Sequence, residues 1–260
     1  MLSWCSYCQQ FLGEVPPYED FIITHGICGD CESSALTLTE SDMAHALRLR
    51  AIQSRLFDAG RRGDLKAARL IIETARRAGT REVDIVIGVI APMLYRIGED
   101  WKCGVITVAE EHRFTAFCEK ILDIVTANTL RLIALDADQE KRGQILLINA
   151  PGNHHTLAVR ILALWLSDKG MPAHAVDDAL DVNDLIVVIL KMRPRILLIS
   201  MALAEQVPGV TALVDRIADL PEPLRPKIVV GGYAVKLGLV SHIPGAILLA
   251  DINGFAALLA

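Results

Sequence analysis

"QILLINAPGNHHTLAVRILALWLSDKG", residues 144–170, decides how the second half of the chain is read. A short apolar run reaches Ala150, a loop with Pro151 and Gly152 follows, and a helix-length apolar segment closes at Gly170. A strand covered on both faces by helices has this near-continuous apolar character. The pattern recurs in "PAHAV" (172–176), "RILLISM" (195–201), "KIVVGG" (227–232) and "AILLA" (246–250), with "VTALVDRIADL" (210–220) as another helix-length spacer. Alternation of this kind predicts an α/β domain on a parallel sheet beyond about residue 142.

Ligands of such sheets sit at the carboxyl ends of the strands, and the first strand-to-helix loop is the favoured place. Here that loop is "APGNHHTLA", residues 150–158. It carries neither GxGxxG nor GxxxxGK[ST], so it is no phosphate cradle. It offers Asn153 and the adjacent His154 and His155. Those histidines are either metal ligands or polar residues opening a helix, and spacing alone leaves both readings open.

Upstream, from about 39 to 134, the apolar period is helical. "DMAHALRLRAIQSRLFDAG" is expected to end at Gly60. Asp64 is placed to cap "LKAARLIIETARRAG", which stops at Gly79. Thr80, with Glu82 and Asp84 behind it, opens a third helix that Pro92 should kink. Thr107 and Glu110 form a capping-box pair at the start of a fourth. Four helices with short connections predict an up-and-down bundle.

Four of the six cysteines fall in the first 31 positions, as the pairs Cys5/Cys8 and Cys28/Cys31. Two CxxC pairs suit tetrahedral zinc, with His25 as a substitute ligand. Residues 1 to about 36, with Gly13, Pro16, Pro17, Gly26 and Gly29, then form a knuckle-and-hairpin ribbon too small to bury a core without a metal. Cys103 and Cys118 are expected to be ordinary buried thiols. The predicted domains are 1–36, 37–138 and 139–260.

Composition bounds the function. The 260 residues are 52% hydrophobic, with a formal charge of -5 and 26 Lys plus Arg. That balance argues against direct nucleic-acid binding, and the local cluster Arg48, Arg50, Arg55, Arg61 and Arg62 reads as a solvated helix face. The purely apolar runs are too short to span a bilayer and no signal peptide opens the chain, so a cytoplasmic protein without a membrane partner is expected. No paired carboxylates or nucleophile–base couple argue for catalytic turnover, so the expectation is a protein that is not an enzyme.

The loop resembles the cobalamin-binding motif Asp-x-His-x-x-Gly, with Asn153, His155 and Ala158 at its defining positions. "LLISMAL" around Ser200, "VVGG" ending in Gly231 and Gly232, and "ADINGF" at 250–255 are similar to later segments of the same domain. The resemblance implies a Rossmann-like, flavodoxin-like domain. It also implies cobalamin bound base-off, with His155 on cobalt and the nucleotide tail in a groove lined by Ser200 and the glycines. Asn153 would take the acidic residue's place as acceptor for the second imidazole N–H, more weakly.

"WKCGVITVAEEH" gives a Trp-x9-Glu-His spacing that resembles the upper-face motif of CarH-type adenosylcobalamin light sensors, in which a four-helix bundle precedes the cobalamin domain. Carried over, Trp101 packs against the upper ligand while Glu111 and His112 contact the adenosyl group, and light-driven loss of that group rearranges domains or a homo-oligomer. The "SWC" and "THGIC" stretches resemble cysteine ribbons found beside bacterial signalling domains. Output through a protein partner, a transcription regulator or signalling enzyme, is the implied role, as in related cobalamin-binding antirepressors. Two other readings stay open: a corrinoid carrier of a methyltransferase system, and a sensor binding a bilin such as biliverdin, with or without cobalamin, in the manner of photocobilins.

Overall fold

The structure is a computed structural model, which describes residues 1–8, 10–33, 40–135, 145–153, 157–171, 173–176, 179–250 and 254–255, with backbone alone at 25, 40–46 and 128–135. It divides into two compact units, Met1–Ala134 and Leu135–Ala260.

The first unit opens with β1 (Leu2–Cys5), β2 (Phe11–Glu14) and β3 (Ile23–Gly26) in the order β2-β1-β3. The β1–β2 pair is antiparallel and β1–β3 parallel. A one-turn helix, α1 (Gly29–Ser33), follows. The bundle comprises α2 (Glu40–Arg62), α3 (Leu65–Arg77), α4 (Glu82–Ile85) continuing through a π-helical turn Val86–Ile90 into α5 (Ala91–Lys102), and α6 (Val108–Leu135).

Capping residues mark these helices as their chemistry requires. Asp64 accepts from the Ala67 N–H at 3.0 Å. Thr107 and Glu110 form the reciprocal box: the Glu110 N–H donates to Thr107 Oγ1 (3.3 Å) and the Thr107 N–H to Glu110 Oε2 (2.8 Å). Two expectations are corrected. α2 runs past Gly60 to Arg62 and turns at Gly63 (φ 67°). Gly60 is a packing glycine, because a β-carbon there would stand 2.5 Å from Phe114 Cε2. Thr80 is buried one residue before the N-cap position, which Arg81 occupies without a side-chain capping bond.

The kink expected at Pro92 takes a specific form. Proline cannot donate to the carbonyl four residues back, and the turn before it widens to i→i+5 geometry, the Ala91 N–H donating to Val86 O. All five residues of that turn are buried.

Ribbon and bundle share one core. Trp4 is 1% exposed and its ring rests on Gly88 of the π turn. Arg50 of α2 donates through Nε (2.9 Å) and Nη2 (2.6 Å) to Ile23 O, and Gln53 Nε2 to Phe21 O (3.0 Å). Within the bundle, Arg76 at the end of α3 pairs with Glu82 and donates to Val125 O of α6 at 2.6 Å.

The second unit is the expected α/β domain. β4 (Ile145–Asn149), β5 (His174–Ala175), β6 (Ile196–Ser200), β7 (Lys227–Gly231) and β8 (Ile247–Leu248) form an all-parallel sheet in the order β5-β4-β6-β7-β8. Numbered within the sheet this is 2-1-3-4-5, the flavodoxin-like order, whose switch point lies between β4 and β6. The helices are α7 (Leu157–Asp168), α8 (Val182–Met192), α9 (Val207–Ala218) and the short α10 (Tyr233–Lys236). One apolar layer joins Leu146, Ile148, Leu197, Ile199 and Val230 to Leu185, Ile189, Leu213 and Ile217 of the helices. Among the described residues no helix is long and apolar enough to cross a membrane.

Candidate functional site

At the carboxyl edge of the sheet, Asn149, Ser200 and Gly231 are register partners across three adjacent strands. Side chains alternate along a strand and register partners in a parallel sheet share a face. Leu146, Ile148, Leu197, Ile199 and Val230 occupy the opposite face, so Asn149 and Ser200 project together from the other one, beside the bare Cα of Gly231.

The loop leaving β4 turns at once. The Ala150 N–H donates to Ser200 O and the Asn153 N–H to Ala150 O, both at 2.9 Å, and Gly152 takes φ 78°. Asn153 is buried and Ala158 exposed on α7. His154, His155 and Thr156, and with them the expected cobalt ligand, lie outside the described residues, as do residues 251–253 of "ADINGF". Phe255 is buried.

The paired glycines have a cause inside the protein. Gly232 has φ 107°, and a β-carbon on it would meet Met201 O at 2.4 Å and Met201 N at 2.8 Å. The β7 exit therefore crosses the β6 exit backbone against backbone. Gly231 is less constrained, with Leu249 O at 3.1 Å from the β-carbon position.

Sequence reasoning missed Asn149. It sits in an otherwise aliphatic strand, is 4% exposed, and neither Oδ1 nor Nδ2 has a hydrogen-bond partner among the described residues. An unpartnered buried polar group costs about 1–3 kcal/mol, and the donor and acceptor of this amide are what a polar ligand at the edge would meet.

In the first unit, Trp101 and the Glu111–His112 pair flank the α5–α6 connection, which folds back on itself with Val105 N–H donating to Asp100 O at 2.8 Å and Gly104 at φ 72°. Trp101 is 41% exposed, and Val105 and Val108 beside it in the chain are exposed as well. Glu111 is buried and accepts from Thr115 Oγ1 at 2.8 Å. His112 projects outward, with Nε2 3.6 Å from Glu111 Oε2. Cys118 is buried, and burial pushes its thiol far above the ordinary range. Cys103, expected to be buried, is exposed because it ends α5 at the start of the connection.

The ribbon brings its four cysteines together. The Sγ atoms of Cys5, Cys8, Cys28 and Cys31 all lie within 4.8 Å of one another, and those of Cys8 and Cys28 are 3.6 Å apart. Zinc–sulfur bonds of about 2.3 Å put tetrahedral sulfurs roughly 3.8 Å apart, so the set fits such an ion. Burial opposes charge on Cys5, but backbone N–H groups of Cys8, Cys28 and Tyr7 hold its thiol down at about 6. Burial pushes Cys8 well up, and the neighbouring Cys28 sulfur pushes Cys31 up to about 11. Sulfurs this close repel one another as thiolates, and a dication removes that conflict. The side chain of His25 lies outside the described residues.

Residues 52–126 match the B12 binding domain family. The match falls on the helices from α2 to α6 and supports cobalamin binding. A search of curated proteins returns no match. Among solved structures, the monomethylamine corrinoid protein of Methanosarcina barkeri is similar at 16% identity and TM-score 0.63, over 80% of this chain and 97% of that one. At that identity the likeness is one of fold. The methanol:cobalamin methyltransferase complex MtaBC of the same organism gives 14% identity and TM-score 0.38, over 86% of this chain and 88% of that one. A cobalamin-binding protein of Desulfitobacterium hafniense gives 16% and 0.35, over 72% and 89%.

Proposed function

We propose that this chain is a corrinoid carrier that holds cobalamin at the carboxyl edge of its parallel sheet and presents it to a methyltransferase partner, without turnover of its own. The observation that carries the reading is the edge itself: a 2-1-3-4-5 sheet with Asn149, Ser200 and Gly231 in one row and the Gly152–Asn153 turn beside it. The B12 binding domain match and the fold shared with a protein named as a corrinoid protein support it. His155 would ligate cobalt, Asn153 would hold the imidazole, and Ser200, Gly231 and Gly232 would line the tail groove. Cobalamin, when bound, supplies a cobalt–carbon bond. In the ribbon, Cys5, Cys8, Cys28 and Cys31 would hold a structural zinc.

A second reading, an adenosylcobalamin light sensor signalling to a protein partner, is favoured by one observation. Trp101 offers an exposed indole with Glu111 and His112 at the other end of the same short connection. Stacking area beside polar groups is what a nucleoside upper ligand needs.

The test is reconstitution in darkness with methylcobalamin and, separately, adenosylcobalamin, read by absorption. A base-off, histidine-ligated spectrum that changes in His155→Ala is expected. Methyl exchange with a partner enzyme would support the carrier, whereas a green-light spectral change with altered assembly would support the sensor. Failure of either corrinoid to bind would end both readings.

A further inference from the structure

We propose that Asn149 reads the base at the end of a bound corrinoid's nucleotide tail and selects a purine-type base over dimethylbenzimidazole. The inference rests on the corrinoid reading above and adds the specificity of that site.

Asn149 ends a strand whose other four residues are Ile145, Leu146, Leu147 and Ile148, all buried. Valine or leucine at this place would continue the strand and bury no amide. Instead the residue is only 4% exposed, with both side-chain polar atoms unpartnered among the described residues. A polar group brought by a ligand, or a water that the ligand displaces, would satisfy it.

The surroundings define what that group meets. Ser200 beside Asn149 is small and Gly231 beyond it has no side chain, so the row carries little side-chain bulk on that face of the sheet. At Gly232 the row ends, because the Met201 backbone already fills the β-carbon position. A flat ring entering along this row meets the amide of Asn149 at its end.

An asparagine amide presents one acceptor and one donor side by side. Adenine, attached to the tail ribose through N7, still offers the complement at its N6/N1 edge, an exocyclic N–H next to a ring nitrogen, which an asparagine amide meets through two hydrogen bonds. Dimethylbenzimidazole released from cobalt offers a ring nitrogen but no donor, so Asn149 Oδ1 stays unmet. The difference is one buried hydrogen bond, equivalent to about tenfold in affinity.

Full-length protein and an Asn149→Leu variant are titrated with three corrinoids: one with an adenine tail base, one with dimethylbenzimidazole, and cobinamide, which has no base. Unfolding of the unliganded proteins is followed in parallel. The wild type is expected to favour the adenine-tailed form by about tenfold. Asn149→Leu should lose that preference, keep its cobinamide affinity, and unfold at no lower denaturant concentration. Equal wild-type affinity for the two tailed corrinoids, or a preference that survives Asn149→Leu, overturns the proposal. So does early unfolding of the variant with all three corrinoids weakened alike, which would make Asn149 a structural residue. The wild-type comparison needs no variant, and binding that does not discriminate refutes this inference while leaving the corrinoid reading intact. Absence of binding to any of the three refutes both.

Discussion

The indole of Trp4 lies against Gly88 so closely that a β-carbon at Gly88 would stand 2.1 Å from Trp4 Cζ2. The contact joins the residue before the first cysteine of the ribbon to the middle of the π turn in the bundle.

Gly88→Ala should therefore destabilise the first unit by about 1–3 kcal/mol through overpacking, and Trp4→Ala by about 3–5 kcal/mol through the cavity it leaves. Urea unfolding of the two single variants and the double variant checks this. Because both act on one contact, the double variant should lose less than the sum; strict additivity would contradict the packing described here.

Freshly purified protein is expected to contain about one zinc per chain, as four cysteine ligands imply. Stripping it with a chelator, or replacing Cys5 by Ser, should lower stability. It should also shift tryptophan emission to the red, since Cys5 and Trp4 are neighbours in β1 and loosening one frees the other. Stoichiometric absence of metal, or emission unchanged on chelation, would count against the site.

Gly232→Ala meets two obstacles at once, a φ of 107° and the Met201 backbone at 2.4 Å. A loss of about 1–3 kcal/mol is expected from the backbone conformation alone, with weaker corrinoid binding because the β6 and β7 exits shift together. Gly231→Ala, with 3.1 Å to Leu249 O, should cost less. Thermal unfolding of the two variants side by side gives the comparison, and a reversed order would refute it.

Thr107→Ala removes the hydroxyl that caps α6 and should cost about 1 kcal/mol. The Thr107 N–H, then its hydroxyl, hold the Glu110 carboxyl below its ordinary value. A carboxyl whose value is lower in the folded state stabilises above the unfolded value, and that contribution disappears as pH falls through the folded one. The gap between wild type and Thr107→Ala should thus narrow on acidification below the ordinary carboxylate range. A gap that widens in acid would disprove the reciprocal cap.

The sheet, the bundle and the cysteine cluster were legible because each rests on a local pattern: apolar runs, helical periodicity, capping residues, paired CxxC. What escaped depends on contacts between distant segments. Gly60 looks like a helix stop until Phe114 is seen to need its missing side chain. Arg50 reads as one of several solvated arginines, yet it holds the ribbon through Ile23 O. Asn149 is hidden in an aliphatic strand, and its significance lies in having no partner among the described residues, which only three-dimensional surroundings reveal.

The outermost strands of the large sheet, β5 and β8, are two residues each. A ribbon of backbone that short offers an incoming chain almost no ladder to extend, which is how soluble sheets discourage end-to-end stacking into fibrils. The five-stranded layer can therefore keep an almost wholly aliphatic interior without inviting its own copies to zip onto its flanks.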